Sequence, residues 1–491
     1  MPRRTRDSRR PRSEALALVT ALALVLGGCA VGPDYERPAL ALPTEWPDEI
    51  DAGLSDTDVD RIAWWQRFHD PVLERLIREA MINSLNIELA AARVQQARAL
   101  SGLRDAERYP TVSAFAEVER DDPGLTGSGI DTDIVLAGSL EYELDLWGRL
   151  SRSAESARAE LLATAYARDA VQLAVIGDVV TAYFSYRALA EQIQITERTI
   201  ESRRESLDVE QSRLDRGAST ELAVRQAEAE LQTSLAELPS LQAEAQRQRR
   251  VLAVLVGDSQ AVISGVSELG ETGLPTLPEA MTDLPSVLPS ELLERRPDIR
   301  AAEAYLISAN ADIGAARAAW LPRLNLLGIL GTGAASPTDL FAASSTLWEL
   351  AGALTMPVLD FGRQQASVAG AEAQREIAEL QYRATILTAF QEVGDAWTQL
   401  TTAEQRLLAR DQEVQARVQV VELAERRYAG GYAPYLEVLD ARRALFDAEL
   451  SRTTAARDRL LAAANLYKAL GGGWQADDEQ QDLANRWRED A

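Results

Sequence analysis

Several residue types that mark common classes of protein are nearly absent from this sequence of 491 residues. It has one cysteine and one histidine, so an internal disulfide cannot form and a zinc cluster lacks ligands. Lys468 is the only lysine. No run of about 18 apolar residues occurs, which excludes a protein that crosses a membrane with several helices. The 76 acidic and 51 basic residues give a net charge of −25, which argues against a nucleic-acid binder.

The first 28 residues have the layout of a secretion signal. Six arginines precede an uncharged apolar stretch, 15–26, that is too short to span a bilayer. Cys29 follows directly after Gly27 and Gly28, which resembles the lipobox of bacterial lipoproteins. This resemblance implies cleavage before Cys29 and acylation of its thiol and its new amine, and several acyl chains anchor a protein stably in a membrane. The alternative is an ordinary, small buried cysteine.

The remaining chain is an internal duplication. Displacement by 212 to 214 residues aligns identical residues, among them Gly102 with Gly314, Pro110 with Pro322, Gly148 with Gly362, Gly217 with Gly431, and Gly257 with Gly471. The predicted units are a lipidated segment, a first repeat, a proline-rich linker, a second repeat and an acidic tail, at 29–69, 70–257, 258–292, 293–471 and 472–491. We therefore expect two structural repeats with the same fold.

Each repeat predicts a helix, two strands and two long helices. The first helices cover about 71–108 and 294–320, because the prolines that follow disfavour continuation. Alternation of apolar with small or acidic residues predicts strands at about 134–145 and 347–358. Their predicted partner strands, at about 111–119 and 323–331, alternate less cleanly. Strands of about ten residues with this alternation fit a membrane barrel, although a soluble β-sandwich shows the same pattern.

The number of strands bears on assembly. Four strands cannot close a barrel, since the smallest bacterial barrels have about eight. An open strand edge in hydrocarbon is prohibitive in energy. If the strands cross lipid, several chains must therefore share one barrel.

The long helices are predicted at about 149–214 and 220–256, and again at about 363–429 and 434–470. Apolar residues recur every seven positions, at Val179, Tyr186, Ile193, Ile200, Leu207 and Leu214, and again at Val393, Leu400, Leu407, Val414, Val421 and Tyr428. This spacing is typical of supercoiled helices. A helix of about 66 residues is a rod of roughly 100 Å, which needs partners along its flanks.

Together these segments resemble the TolC family of outer-membrane efflux ducts, and in particular its OprM- and NodT-like lipoprotein branch. The resemblance covers essentially the whole chain after the signal. The motifs that carry it are Cys29 to Pro38, Trp64-Trp65-Gln66-Arg67-Phe68, Asp145-Leu146-Trp147-Gly148-Arg149, and the stretch from Glu294-Arg295-Arg296-Pro297-Asp298-Ile299 to Leu321-Pro322.

The resemblance implies a mainly helical fold with membrane β-strands. Three chains would form one 12-stranded outer-membrane barrel, continued by a periplasmic barrel of 12 helices with a mixed equatorial region. Such a homotrimer is the exit duct of a tripartite efflux pump. Its partners would be a periplasmic adaptor, an inner-membrane pump of the RND type and outer-membrane lipid. No cofactor besides the lipid on Cys29 is implied.

The turn between the last two helices is the candidate gate, because family members narrow their tunnel there with leucine and acidic rings. The family pattern matches at Leu436 and Asp440, and Glu437 occupies the position of a second aspartate. Three copies would crowd six carboxylates around the opening and attract cations. Alternatively, these acids only complement a helix dipole. Candidate tethers that hold the gate shut are Asp215, Arg216, Glu221, Tyr428 and Tyr432.

No pattern of residues indicates an enzyme. His69 lies between Phe68 and Asp70 at a helix start, without a serine or cysteine partner, and is expected to be structural. Two other functions compete with the efflux duct: an outer-membrane duct for type I protein secretion, and a periplasmic coiled-coil adaptor or scaffold. The second leaves the apolar strand faces unexplained.

Overall fold

The computed structural model describes residues 31–40, 46, 54–55, 63–121, 131–264, 284–285, 289–477 and 480–484. The predicted signal peptide and Cys29 lie outside these residues. The α-helices are α1 Pro71–Asn83, α2 Leu85–Ala106, α3 Arg149–Asp215, α4 Glu221–Leu255, α5 Ser259–Ser264, α6 Pro289–Arg295, α7 Pro297–Ala318, α8 Arg363–Ala429 and α9 Tyr435–Ala469. The strands are β1 Leu54–Ser55, β2 Thr111–Asp121, β3 Asp131–Leu144, β4 Leu284–Pro285, β5 Arg323–Ala334 and β6 Thr346–Thr355.

The first helix of each repeat is broken, so the prediction of one continuous helix over 71–108 was wrong. Ser84 is extended, with φ −66° and ψ 122°, and separates α1 from α2. In the second repeat Arg296 is extended in the same way, with φ −88° and ψ 123°. Pro297 then begins α7, because proline lacks the N–H that an ongoing helix requires. The predicted helix over 294–320 is therefore also two helices.

A glycine lies against each of these breaks. Gly257 follows α4 with φ +71°, and a Cβ at this position would lie 2.2 Å from the carbonyl oxygen of Asn83. Gly471 follows α9 with φ +77°, and its Cβ would lie 3.0 Å from the carbonyl oxygen of Arg295. Only glycine combines a left-handed backbone with so close an approach. The chain after each return helix therefore packs onto the break in its own repeat.

The four long strands form one antiparallel sheet in the order β2-β3-β5-β6. The register pairs Thr111 with Glu141 and Leu140 with Gly328. β6 ends at Thr355, three residues before the end predicted for it, because Pro357 cannot donate a hydrogen bond to a neighbouring strand. The sheet has two outer edges, β2 and β6.

The helices pack in two rows that follow the order of the strands. Near the sheet the neighbours are α2, α3, α7 and α8, and near the far end they are α4, α3, α9 and α8. All twelve residues of the predicted heptad positions are buried or half-buried. α3 lies inside both rows, whereas α8 ends both rows and exposes the large apolar residues Ile377, Leu380, Leu387, Leu408, Val418, Val420 and Leu423.

The main core lies where the two rows meet, and we call this region the waist. Trp64 is fully buried and stacks on Tyr467 with ring centroids 5.7 Å apart. Asp70 caps α1 by accepting hydrogen bonds from two backbone N–H groups, and it also accepts one from the Tyr183 hydroxyl at 2.7 Å. His69 is exposed in a tight turn with φ 49°.

Both ends of the described chain are fastened to the helices. Arg37 donates two hydrogen bonds to the Glu303 carboxylate, at 2.6 and 2.8 Å. In the tail, the Trp474 ring packs edge-on against Tyr166. The proline-rich linker, 258–292, contains regular elements. These are α5, the start of α6, and β4, which pairs with β1.

Among the helices that the structure describes, α3 is long and apolar enough to span a membrane by length and composition. α3 contains an 18-residue window with a mean hydropathy of 1.2. Half of that window is buried within the chain, as expected for a core helix. We therefore assign its apolar residues to packing between helices.

Candidate functional site at the hairpin tips

Each repeat ends in a helical hairpin, and the two turns have the same geometry. Gly217 connects α3 to α4 with φ +74°, and Gly431 connects α8 to α9 with φ +75°. The turns are closed by equivalent backbone hydrogen bonds, from Ala218 to the carbonyl of Arg213 and from the N–H of Tyr432 to the carbonyl of Arg427. These bonds complete the C-terminal ends of the long helices. The duplication therefore places two matching tips side by side.

A buried carboxylate joins the two tips. Glu210 on α3 is 1% exposed, and the Tyr428 hydroxyl on α8 donates to both of its oxygens at 2.8 Å. The Ser219 hydroxyl of the first turn donates to the same carboxylate at 2.6 Å. Burial and the hydrogen bond to Glu210 raise the pKa of Tyr428 to about 12. The tyrosine therefore stays a neutral donor at physiological pH.

A second buried carboxylate connects α3 to both return helices. Arg203, 7% exposed, forms an ion pair with Glu230 on α4 at 3.3 Å and donates to the backbone carbonyl of Glu230 at 2.7 Å. Arg443 on α9 pairs with the same carboxylate. Burial lowers the pKa of Arg203, whereas the bond to Glu230 raises that of Arg443. One acid thus holds two arginines from different hairpins.

A third contact and an apolar cluster complete the junction. Arg442 on α9 forms an ion pair with Glu425 on α8 at 2.6 Å and also donates to the Ser206 hydroxyl on α3. Beneath these groups lie the buried apolar side chains of Ala223, Ala227, Ala424, Tyr435, Val438, Leu439 and Ala441. Breaking a buried ion pair leaves an uncompensated charge, which costs about 3–5 kcal/mol. The two tips are therefore held together firmly.

The predicted gate residues lie on the outer side of this junction. Leu436 is 47% exposed, and the side chain of Asp440 is 61% exposed. Each predicted acid has an arginine partner: Glu437 pairs with Arg427 at 3.0 Å, and Asp440 pairs with Arg443 at 3.5 Å. The tip therefore has less uncompensated negative charge than its acids alone indicate.

The predicted tethers differ in what they contact. Tyr428 connects the two hairpins through Glu210. Asp215 accepts a hydrogen bond from Gln211, and Glu221 pairs with Arg225, so these contacts stay within the first hairpin. Tyr432 is 82% exposed and Arg216 is also exposed. A tethering role of these four residues stays a prediction.

The strongest connections come from residues that the sequence analysis did not select. Arg203 and Glu210 each lie three positions after an apolar heptad residue, Ile200 and Leu207, where a coiled coil normally has a second apolar residue. Charged residues at such inner positions are costly unless they are paired. The heptad positions of Arg203 and Glu210 could therefore have indicated, from sequence alone, that both are buried and have partners. Nothing in one helix alone identifies Glu230 as the partner of Arg203, or Tyr428 as the partner of Glu210.

Comparisons with known proteins agree with this geometry. The family model of outer membrane efflux proteins matches residues 76–258 and 288–472. The solvent efflux pump outer membrane protein SrpC of Pseudomonas putida is 35% identical, over 92% of this chain and 97% of its own length. The cation efflux system protein CusC of Escherichia coli is 32% identical, over 92% and 98%. A solved structure of the outer-membrane channel OprN is 31% identical, with a TM-score of 0.85 over 91% of this chain and all of that chain.

A duplicated helical chain with an open sheet at one end and two joined hairpins at the other thus has the fold of an outer-membrane channel subunit. The chain belongs to the outer membrane efflux protein family. It is an outer-membrane channel that extends into the periplasm and serves as the exit duct of an efflux pump. The predicted family, function and location are confirmed, and the family is one of channels and not of enzymes.

Proposed function

We propose that three copies of this chain close one barrel and one tunnel. The order β2-β3-β5-β6 leaves β2 and β6 as edges, and the sheet can close only if β6 of one copy pairs with β2 of the next. The same neighbour would cover the exposed apolar side of α8. Four strands per copy give 12 in a ring of three. The open edges are the observation that carries this proposal, and the number three comes from the family resemblance.

A lipid on Cys29 would anchor the ring at the level of the sheet. The N–H of Val31 donates to the carbonyl of Trp147 at 3.1 Å, just after β3. Arg152 pairs with Asp34 at 2.5 Å and fixes the following residues. Two residues span at most about 7 Å, so acyl chains on Cys29 would enter the membrane beside the barrel. Palmitate labelling of the full chain should disappear in Cys29→Ala, and labelling that survives would contradict the anchor.

The joined tips are the proposed gate. Three copies of Leu436, Glu437 and Asp440 would line the narrow periplasmic opening. The buried pairs at Glu210 and Glu230 would hold each subunit's hairpins in the closed arrangement. A periplasmic adaptor, docked with an inner-membrane pump of the RND type, would supply the energy that opens it. Adaptor and pump then determine when the duct conducts.

The gate is tested by conductance in planar bilayers. Leu436→Ala with Asp440→Ala should raise the single-channel conductance of the purified protein severalfold, because the apolar and acidic ring is removed. The matched control is Leu222→Ala with Gln226→Ala, which changes the equivalent positions of the first hairpin. Unchanged conductance in a correctly assembled Leu436/Asp440 variant would reject this gate.

We propose small toxic solutes as the cargo. SrpC is named for a solvent efflux pump and CusC for a cation efflux system, so related ducts serve chemically different pumps. A deletion strain should become sensitive to organic solvents, antibiotics or metal cations. Loss of an exported protein without a change in these sensitivities would instead favour type I secretion.

A further inference from the structure

We propose that the sheet, and not the gate, makes this channel favour cations. Five carboxylates on one face of the sheet would line the barrel: Glu117, Glu119, Asp133, Glu141 and Glu349. They act through their summed field and not by coordinating an ion. The inference rests on the proposed barrel, in which one face of the sheet meets lipid and the other meets the lumen.

The strand register assigns every side chain to a face, because directly opposed residues of an antiparallel pair point to the same side. One face is apolar along its whole length, with Arg120 at its end as the charged residue. It comprises Val112, Ala114, Ala116, Val118, Ile134, Leu136, Gly138, Leu140, Tyr142, Leu144, Leu324, Leu326, Gly328, Leu330, Trp348, Leu350, Gly352 and Leu354, with threonines near the strand ends. This face fits the outward, lipid-facing band of a membrane barrel.

The opposite face carries the acids. Glu117, Glu119, Asp133, Glu141, Glu143 and Glu349 all belong to it, together with Arg323 at the end next to the helices. The other residues of this face are small or polar, apart from Phe115, Val135, Leu327, Ile329 and Leu347. Since a charged side chain on the lipid side of a barrel is destabilising, this face must be the lumenal one.

These acids also lack the partners that the tip provides. Among the described residues, Glu143 pairs with Arg149, whereas the five carboxylates named in the proposal form no ion pair. Glu119 lies directly opposite Asp133, and like charges in that arrangement destabilise a sheet. Three copies would place 15 such carboxylates around one lumen. Low-dielectric walls focus the field of these charges and concentrate cations.

The test compares two pairs of acids in planar bilayers under a KCl gradient. Glu141→Gln with Glu349→Gln neutralises two acids per chain in the barrel, and Glu437→Gln with Asp440→Asn neutralises two at the tip. We expect wild type to favour K⁺ over Cl⁻. The barrel pair should lower the permeability ratio by about twofold or more, whereas the tip pair should change it less and act mainly on conductance.

Each outcome decides the proposal. The proposal is overturned if the Glu141/Glu349 variant keeps the wild-type permeability ratio, or if the Glu437/Asp440 variant loses as much of that ratio. It is also overturned if the wild-type channel does not favour K⁺ over Cl⁻. Should the double variant fail to assemble, Glu117→Gln and Glu349→Gln as single changes should each give a smaller shift in the same direction. Wild-type protein that forms no pore at all would instead contradict the proposed function on which this inference depends.

Discussion

The tip and the sheet both contain many carboxylates, but they arrange them in opposite ways. At the tip, Glu210 and Glu230 are buried and receive hydrogen bonds from other helices. The exposed acids Glu437 and Asp440 each have an arginine partner. On the inner face of the sheet, acids such as Glu141 and Glu349 are exposed and have no ion pair among the described residues.

This difference separates two roles of charge. A buried, paired carboxylate holds helices in one arrangement, since breaking the pair leaves an uncompensated charge. An exposed, unpaired carboxylate contributes little to the fold but acts on mobile ions through its field. In the proposed function, the tip therefore holds the duct closed, and the sheet influences which ions pass. Four changes test this comparison, in order of decreasing effect.

The largest effect is expected for Arg203→Met, which removes one of two cations from the buried Glu230. The variant should lose about 3–5 kcal/mol of stability at the tip, seen as a lower thermal midpoint and faster proteolysis of the hairpins. Arg204→Met is the matched control, because its neighbouring pair with Glu201 is exposed and should contribute at most about 1 kcal/mol. Equal effects of both changes would mean that the buried network does not hold the tip.

Glu210→Ala should open the tip while the sheet stays intact. The change leaves the hydroxyls of Tyr428 and Ser219 without their acceptor, at a cost of about 1–3 kcal/mol. Single-channel conductance should rise severalfold without loss of the permeability ratio. Glu205→Ala, on an exposed position of α3, is the control. A lower permeability ratio in Glu210→Ala would argue against separate roles of the tip in gating and of the sheet in ion preference.

The contact between Tyr428 and Glu210 should weaken at alkaline pH. The folded pKa of Tyr428 is about 12, above the ordinary value near 10. The contact is therefore fully present below pH about 10 and is lost as the pH rises through about 12. Between these pH values the free energy of unfolding should fall by about 1 kcal/mol more in wild type than in Tyr428→Phe. Parallel curves for the two proteins would contradict this assignment.

The smallest effect is expected for Arg427→Gln, which frees the exposed Glu437. Stability should change by about 0.5 kcal/mol or less. The preference for cations should rise slightly, because three more carboxylates at the opening would lack partners. Reversal potentials measured beside those of the barrel pair Glu141/Glu349 would rank the two regions. If the permeability ratio rises more in Arg427→Gln than it falls in the Glu141/Glu349 variant, the tip determines the preference for cations.

Much of the architecture followed from periodicity. The heptad spacing and the absence of proline predicted α3 and α8 to within a residue of their observed ends. Alternation located β3 and β6, and the less regular segments beside them were correctly assigned as the partner strands β2 and β5. The break at Arg296 was missed although Pro297 is a local signal for it, because proline disfavours a helical residue before it. The break at Ser84 has no such proline and lies against Gly257, from a distant part of the chain. Local patterns do not show such contacts.

The functional regions were less predictable. The family resemblance selected Leu436, Glu437 and Asp440, but no local pattern showed that Arg427 and Arg443 would pair with the two acids. The acidic face of the sheet could be identified only from the strand register, since net charge alone does not say which face carries the acids. Heptad position could have pointed to Arg203, whereas its partner lies on another helix.

The most direct test of the account is whether sister copies seal the edges of the sheet. Cysteines placed along β2, at Val112 to Val118, and along β6, at Leu347 to Ala353, would be combined in pairs and oxidised in membranes, with Cys29 kept because its thiol is expected to be acylated. The account predicts pairs in matching register that form a covalent ladder ending at three chains. A chain that stays monomeric and soluble, with no cross-link between any positions of the two strands, would contradict it.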